Sequence, residues 1–125
     1  MDRKYRLLII DDNEEILISL KSFLSKKDYE VVSASNGLDA LKLIEAATEE
    51  FDLVITDLVM PNISGVAITA IIKKQNSKMP VIAITGFGEQ PEALAKEVHA
   101  DIVMEKPFKL DELESNILSL LKLAE

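Results

Sequence analysis

A chain of 125 residues is the size of one folding unit and can bury a core without disulfides or a structural metal. Its formal net charge of −8, from 14 basic and 22 acidic residues, argues against direct nucleic-acid binding, which needs a basic surface. With no cysteine it can hold neither a disulfide nor a thiolate zinc site, a composition compatible with the cytoplasm, and it lacks both a signal-peptide pattern and any apolar run near the ~20 residues of a membrane span.

Short apolar runs near residues 5–10, 30–34, 52–56, 80–84 and 101–105 have the length of buried parallel strands. The first, Leu7-Leu8-Ile9-Ile10, ends on Asp11-Asp12. Asn13 then caps a helix whose first turn holds Glu14-Glu15 and whose stripe is Ile16, Leu17, Leu20, Phe23 and Leu24. After the second strand, Asn36-Gly37 opens a helix with Leu38, Leu41, Leu43 and Ile44 as its apolar positions. The third strand, Phe51 to Thr56, ends on Asp57. A third helix, opened by Ser64-Gly65 and closed by Lys73-Lys74, carries Val66, Ile68, Ile71 and Ile72.

The fourth strand, Val81 to Ile84, leads to Thr85. Pro91 suits the first turn of a fourth helix, whose short face of Ala93, Leu94, Ala95 and Val98 predicts weak anchoring. His99 reads as a surface residue in the turn before the fifth strand, Ile102-Val103-Met104, which runs toward Lys106. A fifth helix carries Leu110, Leu113, Ile117, Leu120 and Leu121.

Five strand–helix units without a linker predict one domain over residues 1–125, an α/β doubly wound (βα)5 sandwich with helices on both faces of a parallel sheet. Asp11 and Asp12 can meet Asp57 only if the first and third strands are neighbours, which is the order 2-1-3-4-5. Ligands bind such sheets at the C-terminal strand ends, where this chain places three carboxylates, the Thr85 hydroxyl and the Lys106 ammonium.

Alone, an Asp-Asp-Asn triplet is a common turn or cap, and a lysine before proline is commonly a solvated residue. Together at four strand exits they suit Mg2+ and a phosphoryl group. Adjacent carboxylates repel unless a cation offsets them, and magnesium favours oxygen ligands. Asp57 would serve as a ligand, or also as a nucleophile once metal and ammonium neutralise the phosphoryl oxygens.

The stretches Leu8-Ile9-Ile10-Asp11-Asp12, Asp57-Leu58-Val59-Met60-Pro61 with Gly65, Ile84-Thr85-Gly86 and Glu105-Lys106-Pro107-Phe108 resemble the receiver domains of bacterial response regulators, over essentially the whole chain. The resemblance implies a flavodoxin-like fold and a phosphoacceptor role for Asp57. The phosphoryl donor would be a phosphohistidine on a sensor histidine kinase or a histidine phosphotransfer protein. Mg2+ would be held by Asp11, Asp12, Asp57 and the Val59 backbone carbonyl, with Thr85 and Lys106 engaging the phosphoryl oxygens. A cis peptide before Pro107 is also implied, and an X-Pro bond tolerates it. Phosphorylation would add roughly −1.5 to −2 charge and alter the surface of the fourth helix, fifth strand and fifth helix. That surface would control an unnamed output protein or domain, with homodimerisation on activation left open.

The chain departs from the family pattern in three ways. Val103 stands where the family usually has Tyr or Phe, which alters the coupling to Thr85. Glu105 stands where Thr is common and, by strand alternation, points away from the phosphoryl position. Val59 and Phe87, two residues beyond Asp57 and Thr85, are apolar at positions that govern water access, which predicts slow self-dephosphorylation.

Two other readings compete. A magnesium-dependent phosphatase with an aspartyl-phosphate would carry a general acid/base Asp two residues after the nucleophile, where this chain has Val59. The expectation is therefore a self-modifying switch without turnover. A receiver-like interaction module that is never phosphorylated is favoured by Val103 alone. Met1 favours an N-terminal position, whether the receiver stands alone or belongs to a longer regulator or hybrid kinase.

Overall fold

Strands β1 (Arg6–Ile10), β2 (Glu30–Ala34), β3 (Leu53–Asp57), β4 (Val81–Thr85) and β5 (Ile102–Glu105) form one parallel sheet in the expected order β2-β1-β3-β4-β5. The computed structural model describes residues 4–47, 50–86 and 99–124. Helices α1 (Glu14–Lys26), α2 (Gly37–Ala47), α3 (Gly65–Gln75) and a C-terminal helix (Leu110–Ala124) complete the doubly wound, flavodoxin-like architecture among these residues. The fourth helix and Phe87 fall outside them.

Both faces of the sheet are covered, which is why its central strands lack polar–apolar alternation. On one face Leu7, Ile9, Leu53, Ile55, Ile82 and Ile84 pack with α1 and the C-terminal helix, through residues such as Leu20, Leu24, Leu113 and Ile117. On the other, Leu8, Ile10, Val54 and Val81 meet Ala40 and Ile44 of α2 and Ile68 and Ile72 of α3. Each fully buried aliphatic side chain contributes about 1.5–3 kcal/mol over its exposed state. These two clusters therefore dominate the fold.

Polar residues place the helix ends. The Asn13 side chain accepts hydrogen bonds from the Glu15 and Ile16 amides, Asn36 Oδ1 from the Asp39 amide at 2.8 Å, and Ser64 from the Ala67 amide. The apolar stripe of α2 differs from the sequence expectation in one residue. Leu38 is 55% exposed, because it lies on the opposite side of the helix from the buried Ala40. Asp57 and Thr85 sit inside their strands, as final residues paired with Ile84 and Glu105 respectively, instead of following them.

Two polar networks close the N-terminal edge of the sheet. The Arg6 guanidinium pairs with Glu50 and Glu30 and lies over the Phe51 ring, while its amide donates to the Asp52 carboxylate at 2.8 Å. Lys73 donates to the Met79 carbonyl at 2.6 Å and to Asp101 Oδ2 at 2.7 Å, and the same Asp101 oxygen accepts the Val81 amide at 2.8 Å. Among the described residues no helix is long and apolar enough to cross a membrane.

Candidate functional site

The opposite edge brings together the side chains expected from the sequence. Asp11 leaves β1 with its amide still bonded to the Ala34 carbonyl at 3.2 Å, so its backbone is fixed between β1 and β2. Its Oδ1 accepts the Asn13 amide at 2.9 Å, a turn that precedes the α1 cap. Asp57 ends β3, and the Leu58 amide continues the ladder to the Ile84 carbonyl at 2.9 Å. Thr85 ends β4 and accepts, through its carbonyl, the Lys106 amide at 2.8 Å. Backbone pairing thus delivers each side chain to the same edge.

Asp11, Asp12 and Asp57 each offer a carboxylate oxygen, and these atoms all lie within 4.8 Å of one another. Asp11 and Asp57 are buried and Asp12 is exposed, so the cluster opens to solvent on one side. Lys106 Nζ donates to Asp11 Oδ2 at 3.2 Å and to Asp57 Oδ2 at 3.3 Å. Thr85 is fully buried, and its Oγ1 has no hydrogen-bond partner among the described residues. An unsatisfied buried hydroxyl costs on the order of 1–3 kcal/mol, a cost that native structures seldom carry without a use.

The electrostatics are unbalanced. Burial raises the Asp11 carboxyl above its ordinary range, and the neighbouring Asp57 adds to this; the Asn13 amide and the Lys106 ammonium oppose it. Burial alone would lower the Lys106 ammonium, but Asp11 and Asp57 outweigh it and hold the amine above its usual value. One ammonium thus faces three clustered carboxylates. The donor set is all oxygen and the charge calls for a cation, so the residues fit a hard divalent ion such as Mg2+.

The loop after β3 is tightly held. The Val59 amide donates to Asp57 Oδ1 at 3.2 Å, and the Gly65 amide to the Leu58 carbonyl at 3.0 Å. Gly65 admits no side chain, because a β-carbon there would overlap the Asp57 carbonyl oxygen. That oxygen also accepts the Thr56 hydroxyl at 3.0 Å. Asn62 adopts φ 68, a left-handed conformation that Asn tolerates better than most residues. The sequence motif includes Gly65 but does not reveal this close approach, which depends on how β3 and α3 meet.

Val59 is 57% exposed beside the carboxylates. Val103 packs in a small cluster with Leu58, Ala83 and Val66, paired in register with Ala83. Glu105 is exposed, and the Lys106–Pro107 peptide is cis. His99 is exposed, in a turn with φ 58, away from the carboxylate edge.

Known proteins resemble the chain in sequence and in shape. The family described as "Response regulator receiver domain" matches residues 7–118. The alkaline phosphatase synthesis transcriptional regulatory protein PhoP of Bacillus subtilis is 31% identical over 121 residues, 96% of this chain and 50% of that protein. A response regulator receiver domain protein from Clostridium thermocellum superposes with a TM-score of 0.87 at 32% identity, covering 94% of each chain. The response regulator protein TrrA of Thermotoga maritima, solved in complex with Mg2+-BeF, gives 0.82 at 32% identity, covering 93% of this chain and 98% of that one. The chain spans about half the length of the curated relatives it matches.

Proposed function

The chain belongs to the response regulator receiver family of two-component signalling, and on that premise we propose that it is a phosphorylation-activated switch with Asp57 as phosphoacceptor. The observation that carries this reading is the Lys106 ammonium reaching both Asp11 and Asp57 at the edge where Asp12 converges. The donor is a phosphohistidine on a sensor histidine kinase or histidine phosphotransfer protein. An Asp57 carboxylate oxygen attacks phosphorus, the phosphorus–nitrogen bond breaks, and its electron pair leaves with the imidazole, which takes up a proton. This is self-modification without turnover.

Asp11, Asp12, Asp57 and the Val59 carbonyl are the proposed Mg2+ ligands. Bound there, the cation supplies positive charge that offsets the carboxylates and the incoming phosphoryl oxygens. Lys106 holds its proton tightly and remains an ammonium, available to a phosphoryl oxygen. The Thr85 hydroxyl, buried without a partner among the described residues, donates to another. The added charge biases a pre-existing conformation. Output passes through the surface of β5 and the C-terminal helix, on which Leu118 and Leu123 are exposed; the fourth helix expected to share it falls outside the described residues. The partner is a protein, or a second copy on activation, and we place the switch in the cytoplasm without direct nucleic-acid contact.

Incubation with acetyl phosphate and Mg2+, followed by intact-mass measurement, tests the reading. The expected result is one added phosphoryl group in the parent and none in Asp57→Asn. The Val59 side chain beside the site supports a lifetime of minutes or longer once donor is removed. No added mass, or equal addition to both proteins, leaves the reading of a non-phosphorylated interaction module, which Val103 favours.

A further inference from the structure

Helix α2 begins at Gly37, a buried residue on the same helix face as Ala40 and Ile44. What lies against it is the loop joining β3 to α3. A β-carbon on Gly37 would stand 2.5 Å from Ile63 Cβ, 2.8 Å from the Ile63 carbonyl oxygen and 2.9 Å from Ile63 Cγ2. The nearest two atoms belong to the backbone or are fixed directly to it. Turning the Ile63 side chain would not relieve the clash; the loop itself would have to move.

Ile63 shares that loop with Val59, whose amide donates to Asp57 Oδ1. The loop is pinned to itself by the Gly65 amide on the Leu58 carbonyl and by the close passage of Gly65 over Asp57. The Gly37–Ile63 contact is of another kind, because it comes from a helix that supplies no group to the carboxylate cluster. Ile63 is also half-buried against the core cluster that includes Ala40 and Ile44, so the same helix meets it with apolar contacts.

We propose that Gly37 is a positioning residue for the Asp57 site: the missing side chain at the start of α2 lets Ile63 close against the helix and holds the Leu58–Ser64 loop, with its Val59 amide, beside Asp57. The proposal rests on reading Asp11, Asp12 and Asp57 as the carboxylates that bind metal and phosphoryl. It makes α2 a support of the site instead of a bystander.

Gly37→Ala, Ile63→Gly and the double variant test it, each first shown by urea unfolding to be folded. Two readouts follow on the unphosphorylated chain: Mg2+ binding by calorimetry, and hydrogen exchange of the Val59 amide by NMR. Gly37→Ala should weaken Mg2+ binding about tenfold, the lower end for residues that orient metal ligands, and speed Val59 exchange. Ile63→Gly removes the contact from the other side and should also speed Val59 exchange; adding Gly37→Ala to it should change both readouts less than in the parent, because two of the three clashing atoms are already gone. Parent-like binding and exchange in Gly37→Ala would overturn the proposal, as would a Gly37→Ala effect as large in the Ile63→Gly background as in the parent. Should Gly37→Ala not fold, Ile63→Gly carries the test, and Val59 exchange unchanged from the parent would sink the idea. If the parent itself binds no Mg2+, the metal reading fails, while Val59 exchange still decides the role of Gly37.

Discussion

The two edges of the sheet use the same residue types to opposite ends. At the N-terminal edge Arg6 meets Glu30, Glu50 and the Phe51 ring, and Lys73 and the Val81 amide share Asp101. Each of these carboxylates has a cation or an amide of the chain against it. At the C-terminal edge three carboxylates crowd one ammonium and a buried hydroxyl goes without a partner among the described residues. Charge there is left over, and the leftover is negative. Carboxylates engaged within the chain make no call on a ligand, whereas clustered carboxylates around one ammonium do.

Four experiments can break or sharpen this contrast, from the largest effect to the smallest. Mg2+ at roughly a hundred times its dissociation constant should stabilise the parent by about 2.7 kcal/mol. Denaturant melts should register that gain, and Asp11→Asn should lose most of it. A parent melt indifferent to Mg2+ would mean that the C-terminal edge has no such demand. At the other edge, Asp101→Ala strands the Val81 amide, leaves Lys73 with the Met79 carbonyl and should cost about 1–3 kcal/mol. Its Mg2+ affinity should match the parent, and a large fall would show that the edges are not independent.

Asp57→Asn should do the reverse of Asp101→Ala. Without Mg2+ it removes a carboxylate that repels Asp11 and should raise stability by about 1 kcal/mol while abolishing phosphorylation. A destabilised Asp57→Asn would mean that the Lys106 contact outweighs the repulsion. The smallest effect concerns Tyr29, just before β2, whose phenol is pushed above its ordinary 10.0 by burial, with Glu114 adding to the shift. A raised native value means that the folded chain holds this proton more tightly than the unfolded chain. Its stabilisation is therefore complete below the ordinary value and is lost as pH rises through the native one. Melts at about pH 9 and about pH 11 should show a smaller alkaline loss in Tyr29→Phe than in the parent.

Strand positions and the chemistry at their exits were legible because apolar runs and isolated polar residues are local signals. Leu7 to Ile10 reads as a strand from its own composition, and the cooperation required between Asp11 and Asp57 is enough to choose the strand order. What could not be read depends on which face meets which neighbour. Leu38 fits an apolar stripe by spacing, yet the face of α2 that packs is set by Gly37, Ala40 and Ile44. Asp57 and Thr85 look like residues after their strands, because only pairing across the sheet extends the ladder to include them. The closeness of Gly37 to Ile63 has no signature in either stretch, since it exists only where the start of α2 meets the loop between β3 and α3.

Lys106 is separated from Asp57 by 49 positions and from Asp11 by 95. Contacts of such separation are non-local, and the loops they close cost entropy before the contact rewards it. The ammonium therefore reaches its two carboxylates only after β1, β3 and the last strand have all joined one sheet. Any fragment ending before Lys106 keeps the carboxylates but lacks the cation that moderates them. A nascent or clipped molecule that already holds Asp57 would therefore lack the ammonium that reaches it.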